Sequence, residues 1–153
     1  MTRETFPLAI RLLHRLNPLI RWLLRSRLHF LMSGELLVLE YRGRKTGNTY
    51  AIPLAYVTHA GQPHCMTRLG TSWLTSVVEA PSVTIWLRGK RLSATAERIP
   101  SASPDARPAF AAFLSANPGT ARMLYRVRVD SRRQPDANDL EREIHNSVVI
   151  RVS

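Results

Sequence analysis

The sequence predicts one α+β domain whose strands form an antiparallel sheet or barrel. Its 153 residues, 44% of them apolar, are enough for one hydrophobic core and few for two. Strand-like runs follow one another through short glycine-containing turns, as in β-hairpins. Helical stretches at the start, in the middle and late in the chain interrupt these hairpins, an order typical of α+β proteins. We expect a single domain over residues 1–153, with a helical segment over 1–32 and the barrel over 35–153.

An amphipathic helical pattern opens the chain over residues 6–32. Asn17 and Pro18 interrupt it as a helix cap and a first-turn proline would, so they divide it into two helices or kink one. Two interpretations remain open: the apolar face packs on the domain's own core, or it lies on an anionic membrane surface. The polar face carries Arg11, His14, Arg15, Arg21 and Arg25.

Six strands are predicted after this segment, over residues 36–42, 50–57, 64–68, 83–88, 91–99 and 145–152. Residues 43–47 and 89–90 form the turns of two hairpins. Pro53 lies inside the second strand, and because proline cannot donate to a strand ladder, it indicates an edge position or a bulge there.

Two or three helices are predicted to pack beside the strands. The first begins at Thr71 or Ser72 and ends before Pro81. A second opens at residues 103–104 and continues to Leu114, and a further helical run lies around residues 123–125. Residues 130–143, rich in charge, Pro and Asn, are predicted as a surface loop.

The charge balance predicts an anionic partner. The sequence has 22 basic residues and only 11 acidic ones. All of the basic residues except Lys45 and Lys90 are arginines, which bind carboxylates and phosphates through paired donors. The sequence does not favour nucleic acid as the partner, because the arginines are scattered and aromatics make up only 7%. The single cysteine and an N-terminus unlike a signal peptide predict a cytoplasmic protein, with peripheral attachment to the inner face of the membrane left open.

The turn after the first strand carries the densest group of cations, in the sequence Arg42-Gly43-Arg44-Lys45-Thr46-Gly47. Side-chain donors beside glycine backbone amides suit a phosphate or carboxylate. The leading glycine of a Walker P-loop is missing and a strand follows, so this is not a P-loop. The turn either binds an anion or is a solvated hairpin tip.

Two blocks of the sequence resemble a known family. Residues 37–47, followed by Ile52-Pro53-Leu54, are similar to the strand, GRKTG turn and strand of the deazaflavin-dependent nitroreductase family. A second block of that family is similar to four further pieces of the sequence, namely Trp73 and residues 80–85, 89–91 and 94–96. Its members are F420H2-dependent quinone and nitro reductases with a split β-barrel. The resemblance therefore implies this fold and hydride transfer from reduced F420 to a quinone-like or nitro-aromatic acceptor.

The resemblance also implies a cofactor site. The basic turn would hold the phosphate and oligoglutamate tail of F420, while Pro53 and Trp73 would lie beside the deazaflavin ring. The segment before Trp73 is shorter than is usual in the family, so Arg68 would replace its missing contacts, and Ser76 occupies the usual asparagine position. The predicted cofactor-binding residues are Arg42, Gly43, Arg44, Lys45, Thr46, Gly47, Pro53, Arg68, Trp73 and Ser76. The alternative is a non-enzymatic split-barrel protein that binds lipid, haem or flavin such as FMN.

No side chain stands out as a nucleophile, because the cofactor supplies the chemistry of such reductases. Tyr56, Ser72 and Tyr125 are candidates for orienting or protonating a small hydrophobic acceptor. No metal site is predicted, since His64 and Cys65 are adjacent in a strand and point to opposite faces.

Overall fold

The computed structural model describes residues 36–153 and shows a six-stranded antiparallel barrel with four helices. In chain order the elements are β1 (Leu36–Arg42), β2 (Thr49–His59), β3 (Gln62–Arg68), α1 (Ser72–Glu79), β4 (Ser82–Leu87), β5 (Lys90–Ile99), α2 (Ala106–Ala116), α3 (Pro118–Leu124), α4 (Ala137–Ile144) and β6 (Ser147–Val152). The predicted α+β fold with six antiparallel strands is confirmed. The amphipathic pattern of residues 6–32 lies outside the described residues. Between residues 36 and 153, no helix is long and apolar enough to cross a membrane.

The barrel closes in the strand order β1-β2-β3-β6-β5-β4, with β4 pairing back onto β1. Each of the two long strands, β2 and β5, pairs with one neighbour over its first part and with a different neighbour over its second part. Residues 49–55 of β2 pair with β1, whereas residues 56–59 pair with β3. In the same way, residues 90–95 of β5 pair with β4 and residues 96–99 pair with β6. Over residues 49–55, β2 therefore pairs with no strand of residues 36–153 on its β3 side, and this gap is called the β2–β3 split below.

Pro53 lies at this split, in register with Val38 of β1. The proline has no amide hydrogen to donate, and on its other side β3 is no longer paired with β2. Among residues 36–153, Pro53 thus lies at an unpaired edge, which is one of the two alternatives predicted for it, the other being a bulge.

Two large hydrophobic clusters form most of the core of residues 36–153. The barrel cluster fills the interior with inward-facing residues of β1 to β6 and is capped by Leu74 and Val77 of α1. The helical cluster lies outside the barrel, where α2, α3 and α4 cover residues such as Met66 and Val149. The two sides of β3 thus face different clusters, because alternate residues of a strand point to opposite faces.

The prediction of a surface loop over residues 130–143 is wrong in its second half, because α4 occupies residues 137–144. The carboxylate of Asp136 caps this helix by accepting hydrogen bonds from the amides of Asn138 and Asp139. Leu140 and Ile144 are four residues apart and bury their side chains in the helical cluster. The capping aspartate and this spacing are helix signals that the charged composition obscured.

Candidate cofactor-binding site

The basic turn between β1 and β2 is a compact, internally hydrogen-bonded loop. The Gly43 amide donates to the Asn48 carbonyl and the Gly47 amide to the Gly43 carbonyl, each at 2.8 Å. Gly47 has a φ of 69°, a left-handed conformation that glycine adopts without strain. Arg42 Nε donates to the Gly47 carbonyl at 3.1 Å. Arg42 therefore helps to close the turn, in addition to any contact that it makes with a ligand.

Gly43 allows Tyr50 to pack directly against the backbone of the turn. A Cβ atom built on Gly43 would lie 2.5 Å from Tyr50 Cε2, closer than carbon atoms approach. The Tyr50 hydroxyl and Thr46 Oγ1 are 2.9 Å apart and share a hydrogen bond, and Thr46 Oγ1 also accepts from the Asn48 amide. The tyrosine thus fixes the shape of the turn, a role that requires glycine at position 43.

Helix α1 supports the turn from one side through Arg44. The Arg44 amide donates to Ser76 Oγ at 3.1 Å, and Arg44 Nη1 lies 3.4 Å from Glu79 Oε1. Ser76 is buried, whereas Arg44 and Glu79 are about half exposed. The hydrogen bond therefore anchors the backbone of the turn, and the ion pair, which is open to solvent, contributes little to stability. Ser76, predicted to contact the cofactor, thus holds the backbone of Arg44, which is also predicted to bind the cofactor.

Lys45 and Thr46 form the exposed tip of the turn. Within residues 36–153, no carboxylate pairs with Lys45, and the backbone amides of Lys45 and Thr46 donate to no other group. A cationic side chain beside two solvent-facing amides is an arrangement that binds anions.

Three aromatic rings lie under the turn at the end of the barrel. Tyr41 stacks on Tyr50 with ring centroids 5.7 Å apart, and Tyr41 and Trp73 are 6.5 Å apart. Burial raises the pKa of Tyr41, and the neighbouring Tyr50 raises it further, so its hydroxyl stays protonated at neutral pH. The structure thus brings Trp73, predicted to lie beside the cofactor, next to the base of the basic turn. Sequence reasoning missed the part that Tyr41 plays in this contact.

The β2–β3 split adjoins the same end of the barrel. Tyr56 of β2 is in register with Cys65 of β3, and extending this register places Pro53 across from Arg68 where the strands separate. Arg68 Nη1 donates to the Leu124 carbonyl at 2.9 Å, and its Nη2 lies 3.7 Å from Glu143 Oε2. Within residues 36–153, the Arg68 side chain thus contacts α3 and α4 rather than the basic turn.

A groove of about 640 Å³ lies over β1, β4 and β5 and is lined in part by Arg42 and Thr49, which flank the basic turn. Glu40 lies in its wall, where its carboxylate accepts a hydrogen bond from Trp86 Nε1 at 2.8 Å and lies 3.7 Å from Arg91 Nη2. Most other lining side chains are polar, including Arg42, Thr49, Ser82, Thr84, Ser93 and Thr95.

Comparison with known families gives a match over most of the chain. The profile of the F420H(2)-dependent quinone reductase family matches residues 26–132, which is more than half of the chain. The chain belongs to this family. It is accordingly an F420-dependent oxidoreductase, and the resemblance seen in the sequence is confirmed. No curated protein matches the chain at a significant level.

Several solved structures of other proteins resemble this chain in fold. A conserved hypothetical protein of Mycobacterium tuberculosis has 11% sequence identity and a TM-score of 0.58, over 89% of this chain and 78% of the other. A NimC/NimA family protein of Clostridium acetobutylicum has 16% identity and a TM-score of 0.52, over 92% and 86%. A haem-binding protein of Mycobacterium smegmatis has 15% identity and a TM-score of 0.53, over 80% and 47%. At such low identities these likenesses concern the fold alone.

The three candidates for handling the acceptor occupy different environments in this reductase. Ser72 is exposed at the start of α1, directly before Trp73. Tyr56 is buried in the barrel cluster. Tyr125 is buried in the helical cluster against Phe110 and Phe113. Burial raises the pKa of Tyr125, an effect that the nearby charge of Arg68 opposes. Of the three, only Ser72 is exposed to solvent.

Proposed function

We propose that the protein transfers a hydride from reduced F420 to a quinone-like or nitro-aromatic acceptor, and that the basic turn holds the anionic tail of the cofactor. Family membership supports the cofactor class. The observation that carries the site is the turn itself: Gly43, Tyr50 and Ser76 fix its backbone and leave Lys45 exposed at the tip. A turn supported from two sides is better suited to ligand binding than a freely solvated hairpin tip.

The residues present fit the chemistry of F420. Its tail carries a phosphodiester and carboxylates, and the turn offers Arg44, Lys45 and two solvent-facing amides to them. The opening at Pro53 and the nearby Trp73 offer apolar and aromatic surface to a planar ring. When bound, the reduced deazaflavin supplies a hydride. The chain itself binds the tail, orients the ring and limits the access of water.

Reduction of a quinone also consumes a proton, which the solvent or a side chain delivers. Ser72 is the candidate of choice for orienting the acceptor, because it is exposed and precedes Trp73. Tyr56 and Tyr125 are buried, so packing explains their positions without a role in proton transfer. We propose that the acceptor is a small hydrophobic molecule, because such a molecule suits a site bordered by Trp73 and Tyr50.

The non-enzymatic alternative is not favoured, because the matching family is one of reductases. Haem binding is a property of one structural neighbour that shares only the fold with this chain. FMN is the alternative flavin, and it has a phosphate but lacks the extended anionic tail to which the turn is suited.

Peripheral attachment to an anionic membrane surface through residues 6–32 remains part of the proposal, together with a cytoplasmic location. It rests on the amphipathic pattern and its arginines. Such attachment would place the reductase beside lipophilic acceptors.

Turnover tests the proposed function. Reduced F420 is mixed with the protein and either a short-chain quinone or a nitro-aromatic compound, and the return of the oxidised deazaflavin absorbance is followed. We expect protein-dependent oxidation with at least one acceptor, and a loss of at least about tenfold in kcat/KM for the Arg44→Ala/Lys45→Ala variant, as for charge-assisted contacts. Thr75→Ala, an exposed change on α1, is the control that should retain the activity. Oxidation no faster than in the absence of protein contradicts the proposal.

A further inference from the structure

Glu143 is a buried carboxylate beside the β2–β3 split. It lies near the end of α4, and its side chain is only 8% exposed. Arg142 Nε donates to its Oε1 at 3.3 Å, but its Oε2 is buried and forms no hydrogen bond within residues 36–153. A buried oxygen without a hydrogen bond is unfavourable, so its position needs a physical explanation.

The charged group beside this oxygen is Arg68, whose Nη2 lies 3.7 Å from Glu143 Oε2. That separation is an ion pair but too long for a hydrogen bond. Arg68 is anchored separately by the hydrogen bond from Nη1 to the Leu124 carbonyl. Its guanidinium is half exposed, and neither contact uses its Nε. Arg68 can therefore present donors to a ligand in the split while its charge is attracted by Glu143.

We infer that Glu143 competes with the anionic part of the cofactor for Arg68 and so sets how tightly the split binds that anion. The inference rests on the proposed function. Its physical basis is that a guanidinium attracted by a fixed carboxylate offers less net charge to a second anion. Glu143 is buried and anchored by Arg142, so it does not withdraw when a ligand arrives. Glu143 is thus an affinity-determining residue that acts through Arg68.

Removal of the charge on Glu143 should strengthen binding, whereas structural damage would weaken it. Glu143→Gln keeps the volume of the side chain and leaves the Leu124 anchor of Arg68 in place. Binding of oxidised F420 is measured by quenching of tryptophan fluorescence, without turnover. We expect the dissociation constant to fall by about threefold, on the scale of a half-exposed ion pair. The fall should disappear when the same change is made in an Arg68→Met background.

Glu141→Gln is the matched control, because it removes the same charge from an exposed position on α4, where Glu141 pairs with Arg107. It should leave the dissociation constant unchanged. If Glu143→Gln does not fold, Glu143→Asp keeps the charge but withdraws it from Arg68, and should strengthen binding to a smaller extent.

The inference is overturned if the Glu143 variants bind no more tightly than wild type, or if Glu141→Gln or the Arg68→Met background gives the same gain. Absence of saturable F420 binding by wild type and every variant overturns the proposed function, and the inference with it. Saturable binding by wild type without a gain for Glu143→Gln overturns the inference alone.

Discussion

Replacement of Gly43 by alanine tests the account of how the basic turn keeps its shape. The added Cβ would lie 2.5 Å from Tyr50 Cε2 and 3.0 Å from Thr46 Oγ1, so the tyrosine ring must move. Overpacking of this kind costs about 1–3 kcal/mol, and Tyr50 is 41% exposed, which allows the ring to yield and favours the lower end. Loss of the hydrogen bond between Tyr50 and Thr46 adds roughly 0.5–1 kcal/mol.

The expected total of about 1.5–2 kcal/mol corresponds to a fall of roughly 3–8 °C in Tm for a chain of this length. Thermal unfolding followed by circular dichroism measures it. Because the clash is with the ring of Tyr50, Gly43→Ala should cost much less in a Tyr50→Ala background. Gly43 has no left-handed φ, so alanine adds no backbone strain of its own. An equal fall in Tm in both backgrounds would refute the reasoning.

Three further predictions concern other parts of the chain. Hydrogen bonds from Arg128, and from Arg142, hold the pKa of Asp139 below its usual range, so Asp139 contributes stability above about pH 4 that is lost as the pH falls. Asp139→Asn should lower Tm at pH 7 and flatten its decline in acid; an unchanged acid profile would contradict this. Burial raises the pKa of the Cys65 thiol to about 12, so native protein should resist iodoacetamide at pH 8 and react only after unfolding. The full chain should float with anionic liposomes, and a variant with four arginines replaced by glutamine should float less. The four positions are Arg11, Arg15, Arg21 and Arg25. Equal flotation of wild type and this variant would reject membrane attachment.

The strands could be predicted from the sequence because their signals are local. Alternating apolar residues, short glycine turns and a proline at an unpaired edge indicate hairpins without knowledge of distant partners. Pairing of β1 with β4 and of β3 with β6 closes the barrel. These pairings join residues that are far apart in the chain. Only the family resemblance predicted that closure. Helix α4 was missed because its charged residues resemble those of a loop, although they pair among themselves in the folded chain.

The residues of the candidate site could be predicted from the sequence, but their contacts could not. The basic turn and Trp73 are predicted neighbours of the cofactor, and the structure brings them to the same end of the barrel. The hydrogen bond from the Arg44 amide to Ser76 spans 32 residues, and no local pattern reveals it. The pairing of Arg68 with Glu143 likewise depends on how α4 packs beside β3. Such contacts follow from tertiary packing, which spacing along the chain does not encode.

The central claim is that the basic turn recognises the anionic tail of F420. It is tested most directly by comparing the affinity of the protein for oxidised F420 with its affinity for the same deazaflavin lacking the phosphodiester and glutamate tail. We expect F420 to bind at least about tenfold more tightly, and the difference to shrink with added salt and to fall to a small remainder, supplied by Arg68, in Arg44→Ala/Lys45→Ala. Equal affinity for the two compounds, or a preference that is undiminished by loss of both cations, would contradict the account.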